Sequence, residues 1–157
     1  MLEHGLVMDR QVLISSVIYH AESQHGDVEI VSRETHGPLF RYRYADCAKR
    51  TRQLANVLRA LKLVSGDRVA TIAWNNHRHL EAYFAVSGGG MVLHTCNPRL
   101  HPEQLAYIIN HAEDRVVLFD STFAPLVNKL ASQCANVNHW ICLSDQSFKM
   151  IDFETHF

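Results

Sequence analysis

Four short apolar runs at nearly equal intervals constrain the fold of this chain most strongly. They are Val69–Trp74, Met91–Thr95, Val116–Asp120 and His139–Leu143, and their first residues are 22, 25 and 23 positions apart. Near-continuous apolar runs are typical of strands that are buried on both faces of a parallel sheet. Intervals of this length leave room for a helix that crosses from one strand to the next. The pattern predicts an α/β fold with three layers, in which a mainly parallel sheet carries helices on both faces.

Each interval between these strands contains apolar residues at helical spacing. The predicted helices are His77–Ser87, Pro102–Ala112 and Thr122–Cys134. Pro102 suits a first helical turn, where no backbone N–H is needed, and Glu103 suits the positive end of the helix dipole. Ser121 or Asp120 can cap the third helix with a side-chain oxygen.

Further elements are predicted before the first core strand. They are, in chain order, a helix over Asp9–Ser23, two strands over Val28–Arg33 and Leu39–Tyr44, and a helix over Ala45–Leu63. The two strands are joined by a turn containing Gly37 and Pro38, which indicates a hairpin. The regular pattern ends after Asp145. We therefore expect one α/β domain over residues 1–145 and, over 146–157, an irregular tail or the start of a longer chain.

Composition excludes some functional classes. Fifteen Lys and Arg residues against sixteen Asp and Glu give a net charge of −1, whereas nucleic-acid binders usually carry a basic patch. No stretch approaches the ~20 apolar residues that a membrane span requires. Charged residues interrupt the N-terminal apolar positions, so no signal-peptide core is expected. Four cysteines, Cys47, Cys96, Cys134 and Cys142, show no paired spacing. We expect free thiols in a soluble cytoplasmic protein.

Several possible sites have a structural interpretation that we favour. Gly88–Gly90 follows a predicted helix and precedes a strand, which is the wrong order for a phosphate loop and indicates a helix end. His77 and His79 point about 200° apart on a helix, and Glu81 adds no third ligand to His77, so no metal site is expected. His94 is interpreted as a hydrogen-bonded histidine and not as a general base.

Arg99 is the strongest candidate binding residue. It follows the predicted strand Met91–Thr95, and ligands of open α/β sheets lie beyond the carboxyl ends of the strands. The alternative is a solvated arginine, or one that pairs with Glu103 or Glu113. Four polar residues after neighbouring strands would line the same crevice, although we interpret them as turns and caps. They are Asn75, Asn76, Ser121 and Thr122.

Residues 66–120 carry a resemblance to a known family. The stretch reads GDRVATIAWNNHRHLEAYFAVSGGGMVLHTCNPRLHPEQLAYIINHAEDRVVLFD. It resembles the N-terminal part of AMP-forming acyl-CoA synthetases, and most of all bacterial medium- and long-chain fatty-acid–CoA ligases of the adenylate-forming superfamily. More loosely, the likeness extends from about Val12 through Asp145.

The resemblance implies a two-step reaction with ATP, Mg²⁺ and CoA. A fatty-acid carboxylate attacks ATP to give an acyl-adenylate, and the CoA thiol then displaces AMP. In this family the arginine that matches Arg99 lies near the phosphates of CoA, which a guanidinium binds through a planar pair of donors. A cytoplasmic enzyme with no nucleic-acid partner and no membrane span is expected.

The chain departs from the family pattern by what it lacks. It has no Ser/Thr/Gly-rich phosphate loop ending in Lys, no aromatic-Thr-Glu segment, no ribose-binding Asp and no catalytic Lys of the C-terminal domain. It therefore resembles one N-terminal subdomain, which we expect to be inactive alone and to form a homodimer through exposed apolar surface. A non-catalytic binding module of the same fold is the alternative. A receiver-like domain is disfavoured, because Trp74–Asn76 replaces the acidic cluster that it needs.

Overall fold

The protein is described by a computed structural model, which covers residues 11–35 and 37–144. Its helices are α1 (Ile14–His25), α2 (Tyr44–Ala60), α3 (His77–Gly88), α4 (Pro102–His111) and α5 (Ala124–Ala131). Its strands are β1 (Glu29–Ser32), β2 (Phe40–Arg43), β3 (Arg68–Ile72), β4 (Val92–Thr95), β5 (Val116–Asp120) and β6 (His139–Leu143). A 3₁₀ turn over Ser121–Phe123 precedes α5.

The core of the molecule is a four-stranded parallel sheet in the order β4-β3-β5-β6. Ala70 of β3 pairs with His94 of β4 on one side and with Val117 of β5 on the other. Because the chain passes from β3 to one side and then returns to the other, the winding reverses between β3 and β5. In open α/β sheets, ligands bind at the carboxyl ends of the strands next to such a reversal. The predicted parallel sheet is confirmed.

Helices cover both faces of the sheet, as predicted. Leu105 and Ile109 of α4 and Leu130 of α5 pack on one face, against a cluster that includes Ile72, Val117 and Phe119. On the other face, Leu58 of α2 and Val86 of α3 pack against Val69 and Leu118. All these side chains are fully buried, so each layer contributes apolar area to folding at about 25 cal/mol per Å².

The N-terminal elements form a smaller cluster beside α3. Strands β1 and β2 are antiparallel, with Ile30 opposite Tyr42, so the predicted hairpin is confirmed. Ile18 of α1 packs against Tyr42 and Cys47. The helix begins at Ile14 and not at Asp9: residues 11–13 are not helical, and the first part of the prediction lies outside the described residues.

Some predicted boundaries differ from the structure. Strand β3 ends at Ile72 and not at Trp74, because the Trp74 N–H is bonded to a side chain across the sheet. Helix α5 begins at Ala124 and not at Thr122, after the 3₁₀ turn. Helix α2 ends at Ala60, three residues earlier than predicted. The predicted tail over residues 146–157 lies outside the described residues, and the domain boundary remains a prediction.

Two other expectations concern the chain as a whole. All four cysteines are free thiols, as predicted. Within the described residues, no helix is both long enough and apolar enough to span a membrane.

Candidate functional site

Three loops meet at the carboxyl edge of the sheet. They follow β3, β4 and β5 and contribute Trp74, Asn76, Arg99 and Thr122, and Asp120 is the last residue of β5. Because the three strands are parallel neighbours, their exits lie side by side and their polar side chains reach one another.

Asp120 ties the loop after β5 to the loop after β3. Its Oδ2 accepts hydrogen bonds from the Trp74 backbone N–H at 2.7 Å and from the Asn76 amide at 3.1 Å, and Oδ1 accepts from the same amide at 3.2 Å. The predicted helix cap at Asp120 or Ser121 is therefore wrong: neither side chain caps the 3₁₀ turn or α5. The Asp120 carboxylate, which the sequence predicted as a cap of the following helix, bonds instead to the loop after β3.

Asn76 and Thr122 complete this connection. Asn76 Oδ1 accepts from the His79 backbone N–H at 3.1 Å, so the prediction that Asn76 is a helix cap is confirmed. Thr122 Oγ1 accepts from the Trp74 indole N–H at 3.0 Å, and the Trp74 ring packs on Phe123. The junction between β3 and β5 is thus held by mutually bonded side chains.

This junction separates two clefts where the sequence suggested one crevice. The first has a volume of about 420 Å³ and is lined by residues that include Trp74, Asn75, His79, Tyr83, Asn97 and Arg99. The second has a volume of about 700 Å³ and is lined by residues that include Glu34, Arg50, Asn76, Arg78, Ser121 and Thr122. The structure therefore places Asn75 with Arg99, and the other predicted polar residues elsewhere.

Arg99 lies on the wall of the first cleft with an exposed side chain. Asn97 fixes its backbone, because Asn97 Oδ1 accepts from the Arg99 N–H at 3.0 Å. The alternative pairing with Glu103 or Glu113 is wrong: Glu113 is bonded to Arg68 at 3.0 Å, and no residue of the ranges 11–35 and 37–144 pairs with the Arg99 guanidinium. The donors of this guanidinium are available to an anion.

Helix α3 contributes His79 and Tyr83 to the lining of the first cleft. His79 is buried and hydrogen-bonded through Nε2 to Thr71 Oγ1 at 3.0 Å. Burial lowers the pKa of His79, so the ring is neutral at physiological pH. The Tyr83 ring leans against it with a centroid distance of 5.1 Å and remains 45% exposed. The first cleft thus combines one available cation with one exposed aromatic ring.

The second cleft contains charged residues that the sequence analysis missed. Arg78 donates to both carboxylate oxygens of Glu34 at 3.2 Å, and its side chain is 13% exposed. Arg50 Nε donates to the buried carboxylate of Glu81 at 2.7 Å. Both pairs join the N-terminal elements to α3. The opposite charges of Arg78 and Glu81 on one predicted helix were the only sequence signal for these pairs, and they do not reveal a partner distant in sequence.

His94 lies on β4, next to Thr95 and Cys96 of the first cleft, and is hydrogen-bonded as predicted. Its Nδ1 donates to Asp114 Oδ2 at 2.7 Å, and Asp114 is fully buried. This carboxylate, with a smaller effect from the Cys96 sulfur, raises the pKa of His94 to about 10. Cys96 Sγ is 3.8 and 3.9 Å from the two ring nitrogens. Such equal distances place the sulfur out of line with either N–H, so the group is not a nucleophile with its base.

The remaining predicted residues have structural roles. The His77 N–H donates to Ser32 Oγ at 2.9 Å, and the His77 ring stacks on Phe40. Among the described residues, no group of three or more His, Cys, Asp or Glu side chains could hold a metal ion. The predicted helix end at Gly88–Gly90 is confirmed: α3 ends at Gly88, and Gly90 has φ of +80°, a value that favours glycine.

Comparison with known proteins gives one family. The model of the AMP-binding enzyme family matches residues 18–154. The chain is 49% identical over 143 residues to the 3-methylmercaptopropionyl-CoA ligase of Ruegeria lacuscaerulensis, covering 91% of this chain and 26% of that protein. It is 47% identical over 140 residues to the medium-chain-fatty-acid–CoA ligase of Ectopseudomonas oleovorans, covering 89% and 26%. The chain thus spans about a quarter of the length of these relatives.

Solved structures agree with the fold. The N-terminal domain of FACL13 from Mycobacterium tuberculosis superimposes with a TM-score of 0.72 at 21% identity, covering 83% of this chain and 33% of that one. A long-chain-fatty-acid CoA ligase from Rhodopseudomonas palustris superimposes with a TM-score of 0.63 at 25% identity, covering 69% and 28%. The first likeness concerns the fold alone.

Proposed function

Because the chain belongs to the AMP-binding enzyme family, whose acyl-CoA ligases it resembles, we propose that it is the N-terminal part of a fatty-acid–CoA ligase. Such an enzyme joins a carboxylate to ATP, releases pyrophosphate, and transfers the acyl group from AMP to the thiol of CoA. Mg²⁺ neutralises the phosphates of ATP during the first step.

The available guanidinium of Arg99 carries the proposal that this part of the enzyme binds CoA. Arg99 lies at the carboxyl edge of the sheet, in a cleft, with no carboxylate partner among the described residues. The phosphates of CoA fit this environment, because a planar guanidinium donates two parallel hydrogen bonds to phosphate oxygens. The Asn97 side chain stabilises the loop that carries Arg99, because it accepts a hydrogen bond from the Arg99 backbone N–H.

The acid substrate is proposed from the names of relatives. Those names specify 3-methylmercaptopropionate and medium- and long-chain fatty acids, all of which are aliphatic carboxylates. A fatty acid is therefore our proposed substrate class. The free thiols of the chain support a reducing cytoplasm as its location.

A chimeric ligase tests the function. In it, this chain replaces the aligned 140 residues of the Ectopseudomonas oleovorans ligase. We expect a folded chimera that makes acyl-CoA, in which Arg99→Ala raises the KM for CoA at least about tenfold, a loss of about 1.4 kcal/mol. Acyl-adenylate formation, measured by pyrophosphate exchange, should change little, because CoA enters only in the second step.

Two results would contradict the proposal. Equal losses in both half-reactions would remove Arg99 from the CoA site. A chimera that is folded and inactive in both would favour a binding module over a ligase segment.

We further propose that the chain alone does not form acyl-adenylate. The residues that the family uses on the ATP phosphates have no counterpart in its sequence. Pyrophosphate exchange by the purified polypeptide checks this. We expect no exchange above that of a mock preparation from cells that do not express the chain, and exchange that follows the pure polypeptide through purification would overturn the proposal.

Self-association of the isolated chain is also proposed. Exposed apolar side chains gather at the start of α1, where Leu13, Ile14 and Val17 are each about half exposed. A contiguous apolar surface of this kind favours contact with another protein surface. We propose a homodimer through this part of α1.

A further inference from the structure

We propose that Tyr83 and Arg99 together recognise the nucleotide end of CoA, with the Tyr83 ring stacking on the adenine while Arg99 binds the phosphates. This inference rests on the proposed CoA site at Arg99. It adds the residue that would distinguish CoA from thiols that lack a nucleotide.

The two side chains line one cleft. Tyr83 belongs to the second turn of α3, and Arg99 belongs to the loop that follows β4. Both line the same space of about 420 Å³, a volume within the range of small-molecule sites. A nucleotide needs an aromatic or apolar face for its base and a cation for its phosphate, and this open cleft presents both.

The Tyr83 ring is held in position before any ligand arrives. One part of it leans on His79, whose ring is bonded to Thr71 and whose backbone N–H is bonded to Asn76. The other part is open, since Tyr83 is 45% exposed. A ring that already packs against a buried neighbour loses less conformational entropy when a base stacks on it than a fully solvated ring would, and this favours binding.

The polar groups of the cleft favour a nucleotide over an acyl chain. Asn75 and Arg99 both line it, and hydrocarbon packed over a guanidinium and an amide would leave their donors without partners. An adenine offers ring nitrogens and an amino group to such side chains. The neutral His79 adds no charge that would repel the amino group of the base.

Binding of adenosine 3′,5′-bisphosphate to this chain tests the inference. Titration is followed by amide chemical shifts, with inorganic pyrophosphate as the probe that lacks a base. We expect Tyr83→Leu to weaken the bisphosphate on the order of tenfold, as expected for one lost base stack, and to leave pyrophosphate unchanged. Tyr83→Phe should restore binding, because it keeps the ring.

The matched control is Tyr107→Leu, which removes a 66% exposed tyrosine from α4, where it stacks on His111. The inference is overturned if Tyr83→Leu and Tyr107→Leu bind the bisphosphate equally well while Arg99→Ala weakens it. In that case the CoA site at Arg99 still stands. If Arg99→Ala also has no effect, or if the parent chain gives no saturable shift, both proposals fail.

Discussion

The His94–Asp114 pair places a carboxylate inside the protein with one strong partner. Asp114 is fully buried, Oδ2 accepts from His94 at 2.7 Å, and Oδ1 has no hydrogen-bond partner in the part of the chain that the structure describes. A buried carboxylate of this kind depends on its cation, because it has little other compensation for lost hydration. The pair joins β4 to the turn that precedes β5.

Removal of His94 should therefore destabilise the fold. We expect His94→Leu to lower the free energy of unfolding by about 3 kcal/mol, since it leaves a buried unpaired charge. The double variant His94→Leu with Asp114→Leu should recover part of that loss. Urea denaturation measures both, and a double variant less stable than the single one would contradict this account.

The same pair predicts a pH dependence of stability. The folded pKa of His94, about 10, lies above its ordinary value of 6.5. The stabilisation is fully present below pH 6.5, and it decreases as the pH rises toward 10, because the unfolded chain releases the proton first. Unfolding free energies of the parent should fall more steeply between pH 7 and 9 than those of His94→Leu. Parallel slopes for the two proteins would show that another group titrates.

At the scale of elements, the hydrogen bonds of Asp120 fix the arrangement of the loops at the carboxyl edge. It bonds the loop after β3 rather than its own helix, and it thereby separates the two clefts. The two loops leave neighbouring strands toward opposite faces, and this carboxylate joins them together with the bond from the Trp74 indole to Thr122. The geometry of the Arg99 cleft depends on this bond, since Trp74 lines that cleft.

Loss of the Asp120 carboxylate should affect both stability and the cleft. We expect Asp120→Ala to lower the unfolding free energy by about 2 kcal/mol, because the partly buried Trp74 N–H and the Asn76 amide both lose their acceptor. Ser121→Ala, one residue away and exposed, is the control and should change it by less than about 0.5 kcal/mol. Urea denaturation compares the two, and equal stabilities would contradict the role given to Asp120.

The strands could be predicted from the sequence because burial on both faces imposes an apolar run, and β5 and β6 have the predicted bounds. The separation of the two clefts could not be predicted from the sequence. Equal intervals between strands do not reveal their order, so the contact between Asp120 and Trp74, which are 46 residues apart, has no local signal. Arg99 could be placed because its position follows from the end of one strand. The position of Tyr83 in the cleft could not be predicted, because an aromatic residue at helical spacing indicates core packing equally well.

At the scale of the whole molecule, the distribution of apolar surface is uneven. The sheet is covered by helices on both faces, whereas the start of α1 leaves apolar side chains in water. This surface belongs to α1, which packs against α2 and α3. It is the region through which we expect copies of the chain to meet.

A charge placed on this surface should prevent association. Val17→Glu introduces a carboxylate at a position that is 52% exposed, so the monomer tolerates it and the dimer loses apolar contact. Val64→Glu, at an exposed position between α2 and β3, is the control. Light scattering after size exclusion should give a dimer for the parent and the control, and a monomer for Val17→Glu. A monomeric parent at all concentrations would refute the proposal.

Strand β4 is bonded to a neighbour on one side alone within the described residues, since its ladder is shared with β3. The backbone N–H groups on the other side of β4 have no partner strand in the described part of the chain, and edge strands of this kind open more readily than strands that are paired on both sides. The loop that carries Arg99 follows this strand directly. The guanidinium thus follows an edge strand of the sheet, where it can adjust to an incoming phosphate without disturbing the buried strands.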